Sequence, residues 1–138
     1  MQKLADKLKG TGVVLLDMPI TRGEAAAEAG KMLTMVGGDT AAFEACKPAL
    51  SCFASSIYHV GELGAGQVGK MVNNLLLWAC TSANDEGLRL GEALGVSADK
   101  MRAALRAGSG QNWAMDNRAE LSGMPWAEKD MSIVLHEA

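Results

Sequence analysis

Between Ala65 and Leu94 the chain carries no proline, and the apolar positions Val68, Val72, Leu75, Leu76 and Ala79 keep a helical period. That stretch predicts one helix of about 45 Å at 1.5 Å per residue. It also splits the chain into two textures, because every strand candidate lies ahead of it. Val13 to Leu16 is a continuous branched apolar run ending in Asp17-Met18-Pro19, which predicts a strand buried on both faces that ends in a turn. Met32 to Val36 is a second candidate, closed by Gly37-Gly38, and Ser56 to Val60 is a third.

Helices fill the gaps between these strands. Gln2 to Lys9 places Leu4, Ala5 and Leu8 at helical spacing before Thr11-Gly12 stops the pattern. Thr21-Arg22-Gly23-Glu24 reads as a capping box opening a short alanine-rich helix that Gly30 closes. Asp39 is placed to cap a helix running through Phe43 and Cys46 toward Leu50, with Pro48 near its end. After the long helix, Gly95 ends it and Ser97 caps another helix to about Ala107. A Gly108-Ser109-Gly110 turn follows, then helices at Trp113 to Leu121 and Trp126 to His136. The chain is thus predicted to join an α/β piece, residues 1–63, through the long helix to an all-α piece, residues 64–138. Three strands are too few for a usual doubly wound sheet, and an edge strand of that type needs further βα units to cover it. The sequence reads as the back half of something larger.

Composition narrows the partners. With 138 residues and 49% hydrophobic side chains, the chain can bury roughly two-thirds of its unfolded surface without a metal or a disulfide. A net charge of −3 and the lack of any basic run argue against nucleic acid. Cys46, Cys52 and Cys80 are odd in number and sit in apolar helix-like runs, which suits reduced core thiols and a cytoplasmic location. The amino-terminal stretch has no signal-like apolar segment, and the run Leu75 to Cys80 is too short to span a membrane.

Four motifs bear on chemistry. Gly64-Ala65-Gly66-Gln67-Val68-Gly69 matches G-x-G-x-x-G, but Gly61-Glu62-Leu63 separates it from the strand and no second strand follows at the required distance. Glycines that let a long helix start close to another backbone explain it better. Lys70 and Asn74 are four apart, so they project from one helix face. A lysine beside an amide can exchange a proton with a substrate hydroxyl near neutral pH if its pKa is lowered. Spacing alone favours a surface lysine with its stem on the core. Thr21-Arg22-Gly23 lies where strand gives way to helix, where free amides favour a carboxylate and Arg22 can add a bidentate contact; a plain helix cap is the simpler reading of the spacing. His59 and His136 stand in no metal-ligand spacing, and no C-x-x-C or G-x-S-x-G motif occurs. The methionines and Trp78, Trp113 and Trp126 read as core fillers, and Gly87 with Gly91 as marks of a close helix approach.

Taken together, several segments resemble the β-hydroxyacid dehydrogenases, a family that includes 3-hydroxyisobutyrate dehydrogenase and tartronate semialdehyde reductase and is related to 6-phosphogluconate dehydrogenase. Leu16 to Gly23, LDMPITRG, resembles the family's substrate loop, commonly D-x-P-V-S-G-G, and GKMLTMVGGD at Gly30 to Asp39 resembles the segment that follows it. GAGQVGKMVNN at Gly64 to Asn74 is similar to the catalytic helix, where a lysine and the asparagine four residues later act as a pair. GSGQNWAMDNR at Gly108 to Arg118 and Lys129-Asp130 resemble later helical segments, with the lysine at the cofactor. The resemblance covers nearly the whole chain in order, and it reverses the reading of Lys70 that spacing favours.

The resemblance implies a mostly α fold with a small α/β part: the C-terminal remnant of a Rossmann-type domain of about three strands, joined by a long helix to an all-α domain of the 6-phosphogluconate dehydrogenase-like type. It implies NAD- or NADP-dependent oxidation of a small-molecule 3-hydroxy acid, or reduction of its semialdehyde. Lys70 would carry the proton, Asn74 with Asn73 would orient substrate, Thr21, Arg22 and Gly23 would hold its carboxylate, and Lys129 would lie at the cofactor. A homo-oligomer is expected. Two departures stand out. Thr21-Arg22 replaces the usual serine-glycine, and the family's opening strand and glycine-rich phosphate loop have no counterpart, so this chain alone is expected to bind cofactor poorly and to be nearly inactive. The competing expectation is a noncatalytic homo-oligomeric helical module.

Overall fold

Met32 to Gly38 carries apolar and β-branched side chains into a pair of glycines, and in the computed structural model, which describes residues 1–117 and 126–137, it becomes the middle of a small sheet. The elements in order are α1 (Gln2–Leu8), β1 (Leu16–Asp17), β2 (Ile20–Thr21), α2 (Gly23–Glu28), β3 (Met32–Gly38), α3 (Thr40–Leu50), β4 (Ala54–Gly61), α4 (Ala65–Ala93), α5 (Ala98–Leu105), α6 (Trp113–Asp116) and α7 (Ala127–Glu137). They fall into two compact units, Met1–Met71 and Val72–Ala138.

In the first unit β3 and β4 run parallel, connected by α3 as a βαβ crossover. On the other side of β3, β1 and β2 both run antiparallel to it, with Leu16 opposite Gly38, Asp17 opposite Gly37, Ile20 opposite Thr34 and Thr21 opposite Leu33. They are one edge strand interrupted at Met18-Pro19. Proline has no N–H to donate, which suits it to an edge; its carbonyl instead accepts from the Met35 amide at 3.4 Å and the Thr34 hydroxyl at 3.1 Å.

This corrects the strand expected at Val13 to Leu16. Only Leu16 and Asp17 pair, and Val13 and Val14 are 59% and 62% exposed. The residue that would face Leu15 is Asp39, where β3 has already given way to the start of α3, so the branched run extends past the end of its neighbour β3. The sheet accordingly contains four short or medium strands, two of them antiparallel to β3, in place of the three expected.

The capping box at Thr21 to Glu24 also does not form. Thr21 is held in register with Leu33, and the residue at the helix start is Arg22, left-handed at φ 88°, with no side-chain cap. Gly30, at φ 63°, closes α2 as expected, with the Lys31 amide donating to the Ala26 carbonyl at 2.7 Å. Asp39 caps α3 as the sequence indicates, accepting from the Ala42 amide at 2.8 Å. That helix buries Phe43 and Leu50 against Val36, with Leu16 and Ile57 packed alongside. Phe43 stacks on His59, whose Nε2–H donates to the Gly38 carbonyl at 2.7 Å.

The long helix is present over nearly its expected span. Its first turn is crowded: the buried Asp17 carboxylate accepts from the Gly64 and Gln67 amides. A Cβ on Gly66 would stand 2.5 Å from the Met35 carbonyl oxygen and 2.8 Å from that of Asp17. One on Gly37 would stand 2.7 Å from the Glu62 carbonyl and 2.8 Å from the Gly66 amide. These glycines serve close backbone approach, as the spacing of the G-x-G-x-x-G motif suggests.

The second unit packs Trp78 against Ala114, with Leu77, Cys80, Ala127 and Met131 around them. Asn112 caps α6 through the Met115 amide at 3.0 Å and exchanges two 2.9 Å amide bonds with Asn84 of α4. Ser97 caps α5 through the Lys100 amide. Of the two glycines expected at a helix approach, Gly91 meets the Met101 side chain of α5, whereas a Cβ on Gly87 would touch nothing. The helix expected from Trp113 to Leu121 ends at Asp116, and residues 118–121 lie outside the described residues. Two further expectations are corrected. Cys46 and Cys52 are exposed, not core thiols: α3 buries Phe43 and Leu50 and leaves Cys46 at the surface, and Cys52 lies beyond the end of the helix. Trp113 and Trp126 are about half exposed, leaving Trp78 as the buried indole among the three. No helix among the described residues is long and apolar enough to cross a membrane.

Alanine at Gly66 or at Gly37 forces backbone apart and is expected to destabilise the chain by about 2 kcal/mol or more. Alanine at Gly87, in open space within a helix, should stabilise it by about 1 kcal/mol. Urea denaturation of the three variants checks this, and equal effects at Gly66 and Gly87 would remove the close-approach explanation.

Candidate functional site

The site builds outward from Asp17. Its carboxylate is 2% exposed and accepts the Gly64 amide at 2.5 Å and the Gln67 amide at 2.7 Å. These are donors that a helix start leaves without intrahelical partners. The negative charge also sits at the positive end of the α4 dipole. The amides a pyrophosphate would use at a G-x-G-x-x-G helix are therefore already taken by the protein's own anion, so this motif does not fit a dinucleotide phosphate. Spacing in the sequence had disfavoured that role; the occupied amides give the physical reason.

Lys70 follows Gln67 by three positions and is half-buried. Asn74 is one turn further on, on the same helix face, and is 8% exposed. Asn73 is exposed and its Nδ2 donates to Asn74 Oδ1 at 3.0 Å, which fixes the orientation of the Asn74 amide. Gly66 and Gly69, the small residues just ahead of Lys70, lie against Met35, and the Met35 amide is bonded to the Pro19 carbonyl. The loop Met18 to Gly23 and the first turns of α4 are thus tied to the same residue of β3.

Within that loop Thr21 is 7% exposed, while Arg22 and Gly23 are exposed, both with positive φ. A non-glycine residue in the left-handed region costs about 1–2 kcal/mol. The Arg22 guanidinium offsets this by donating from Nη1 to the Lys31 carbonyl and the Ser55 hydroxyl, each at 3.1 Å, and from Nη2 to the Ser56 hydroxyl at 3.0 Å. Arg22 thus ties the connection between α2 and β3 and the start of β4 to its own loop. This was not legible from spacing, which favoured a plain helix cap and offered a bidentate grip on a carboxylate as the functional alternative.

In the second unit Lys129 is well exposed and its ammonium pairs with Asp130 Oδ1 at 2.9 Å. Asp130 is 8% exposed and its other oxygen accepts the Trp78 indole N–H at 3.1 Å. The buried carboxylate leaves Lys129 a located, solvent-facing cation able to meet a phosphate or carboxylate. Sequence reasoning named neither Asp17 as a partner of α4 nor the Trp78–Asp130 bond. The first spans 47 and 50 residues, the second 52, so no local spacing carried a signal. Among the described residues no group of three or more His, Cys, Asp or Glu is arranged to hold a metal.

Comparison with known proteins follows the same residues. Residues 1–61 match the model of the NAD binding domain of 6-phosphogluconate dehydrogenase. Residues 64–138 match that of the NAD-binding domain of NADP-dependent 3-hydroxyisobutyrate dehydrogenase. The chain is 38% identical over 143 residues to 2-(hydroxymethyl)glutarate dehydrogenase of Eubacterium barkeri, covering 96% of this chain and 48% of that protein. It is 37% identical over 115 residues to NAD-dependent L-serine dehydrogenase of Pseudomonas aeruginosa, covering 83% of this chain and 39% of that protein. A crystal structure of 3-hydroxyisobutyrate dehydrogenase from Salmonella typhimurium superposes with a TM-score of 0.79 at 28% identity, over 99% of this chain and 52% of that one. The Mycobacterium tuberculosis 3-hydroxyisobutyrate dehydrogenase, in a structure with L-serine, gives 0.80 at 30% identity, over 94% and 45%. The chain spans about half the length of the relatives it matches, or less. With both halves of its sequence matched to these models, the chain belongs to the β-hydroxyacid dehydrogenase family, whose members are NAD(P)-linked oxidoreductases.

Proposed function

We propose that this chain supplies the catalytic and substrate-holding half of an NAD(P)-dependent dehydrogenase acting on a 3-hydroxy acid or its semialdehyde. The observation that carries the reading is the start of α4, where a buried carboxylate occupies the helix amides and Lys70 and Asn74 follow on one face. The substrates named for the relatives, L-serine, 2-(hydroxymethyl)glutarate and 3-hydroxyisobutyrate, share a hydroxyl on the carbon β to a carboxylate. Such a substrate needs one group for the hydroxyl proton and another for the carboxylate. The functional division proposed is 1–63 and 64–138, which parallels the two matched segments.

The bound nicotinamide supplies the hydride acceptor. Lys70, as the neutral amine, takes the hydroxyl proton while the carbinol carbon loses hydride, leaving a carbonyl; in reverse its ammonium returns that proton to the forming alkoxide. Asn74, oriented by Asn73, holds the reacting oxygen. Thr21, Arg22 and Gly23 hold the carboxylate, chiefly through the loop's backbone and Thr21, since the Arg22 guanidinium is engaged with Lys31, Ser55 and Ser56. Lys129 meets the cofactor. With the Gly64 and Gln67 amides occupied by Asp17, no phosphate cradle is found among the described residues, so we expect weak cofactor binding and little turnover from these residues unless further βα units are joined to them. Exposed Val72, Leu75 and Leu76 on α4 support a homo-oligomer.

In a protein made active by joining the family's cofactor-binding half to this chain, Lys70→Ala is expected to lower kcat by about a hundredfold or more. Retained activity would remove the assignment. In the same protein Arg22→Ala keeps the strained backbone and loses the tie. It should raise KM about tenfold with kcat little changed, the mark of lost uniform binding. A fall in kcat at constant KM would instead place Arg22 in the chemistry.

A further inference from the structure

We infer that Asp17 is a positioning residue for Lys70, resting on the proposed role of that lysine: one carboxylate sets both where the substrate loop begins and where the lysine stands. The contrast with Asp39 shows why this exceeds ordinary helix capping. Asp39 is exposed, precedes its helix directly and bonds one amide three residues on. A local cap of that kind moves with its helix. Asp17 belongs to a different element, is 2% exposed, and takes two amides 47 and 50 residues away. A remote cap of that kind fixes the helix to the sheet.

The surroundings leave little room for a different arrangement. Asp17 is held in register opposite Gly37, and a side chain on either Gly37 or Gly66 would collide with the carboxylate or with backbone at the junction. Less than one helical turn separates Gln67, whose amide Asp17 binds, from Lys70. In the other direction the chain runs from Asp17 directly into Met18 to Gly23. The Asp17 bonds thereby define the separation between the loop that holds the carboxylate and the amine that exchanges the proton.

The test reads the placement of Lys70 without requiring turnover. Competitive acylation followed by mass spectrometry gives the rate at Lys70 relative to the exposed Lys7 and Lys100 in the 138-residue chain, in Asp17→Asn and in Asp39→Asn. Asparagine keeps one acceptor and loses the other, so D17N loosens the first turn of α4. The Lys70 ratio is expected to rise about fivefold, the equilibrium effect of a typical cap. D39N keeps the single acceptor that Asp39 uses for the Ala42 amide and removes only the charge, so it should leave that ratio unchanged. An unaltered ratio in D17N, or an equal rise in D39N, would overturn the proposal.

If D17N does not fold, native-state hydrogen exchange on the unmodified chain in low urea decides instead. The Gly64 and Gln67 amides and the Lys70 amine should become accessible through one shared opening. Labelling of Lys70 while both amides stay protected would overturn the proposal. Neither readout depends on Lys70 transferring a proton, so a failed catalytic role shows only in the turnover of Lys70→Ala.

Discussion

A carboxylate removed from water must find donors, and Asp17 finds them at the start of α4, in amides 47 and 50 residues later in the chain. Much else in the first unit follows from that bond. The edge strand breaks after Asp17 so that Pro19 can offer its carbonyl to Met35 and Thr34. Gly37 and Gly66 are small because any side chain there would occupy the space the carboxylate and the two backbones need. The helix then leaves from a fixed start, and Lys70 inherits its place from that start. A G-x-G-x-x-G pattern that resembles a phosphate site is, in this fold, a protein-to-protein anion site.

The long helix, the caps at Asp39 and Ser97 and the Gly30 closure were legible from local sequence because each depends on residues within one or two turns. Their physics is local, so their signal is too. Val13 to Leu16 misled because β-branched composition reports suitability for a strand and not the presence of a partner. The neighbour has turned into α3 before Val13 and Val14 could pair. Thr21 to Glu24 misled similarly, since register with Leu33 outweighed capping chemistry.

The candidate site was readable as residue types and not as contacts. Lys70, Asn74, Thr21 to Gly23 and Lys129 could be named from spacing and resemblance. The partners that hold them could not: Asp130 under Lys129 depends on Trp78 from another helix, and Arg22 bonds Ser55 and Ser56 from another strand. Arg22 is the clearest departure. Where the family commonly has glycine, a left-handed arginine here stabilises its strained backbone with three hydrogen bonds of its own. The loop is thereby made stiffer than a glycine pair would leave it.

The Asp17 carboxylate holds the Gly64 and Gln67 amides at the start of α4, which leaves ligands to the loop and to the helix face that follows. Backbone amide chemical shifts of the 138-residue chain, recorded during titration with 3-hydroxyisobutyrate and then with NADH, test it directly. The expected result is perturbation by the hydroxy acid at Thr21 to Gly23 and around Lys70 to Asn74, with Gly64 and Gln67 unmoved by NADH. Large shifts at Gly64, Gly66 and Gln67 on adding NADH would contradict the account, because a pyrophosphate would then have displaced the Asp17 carboxylate.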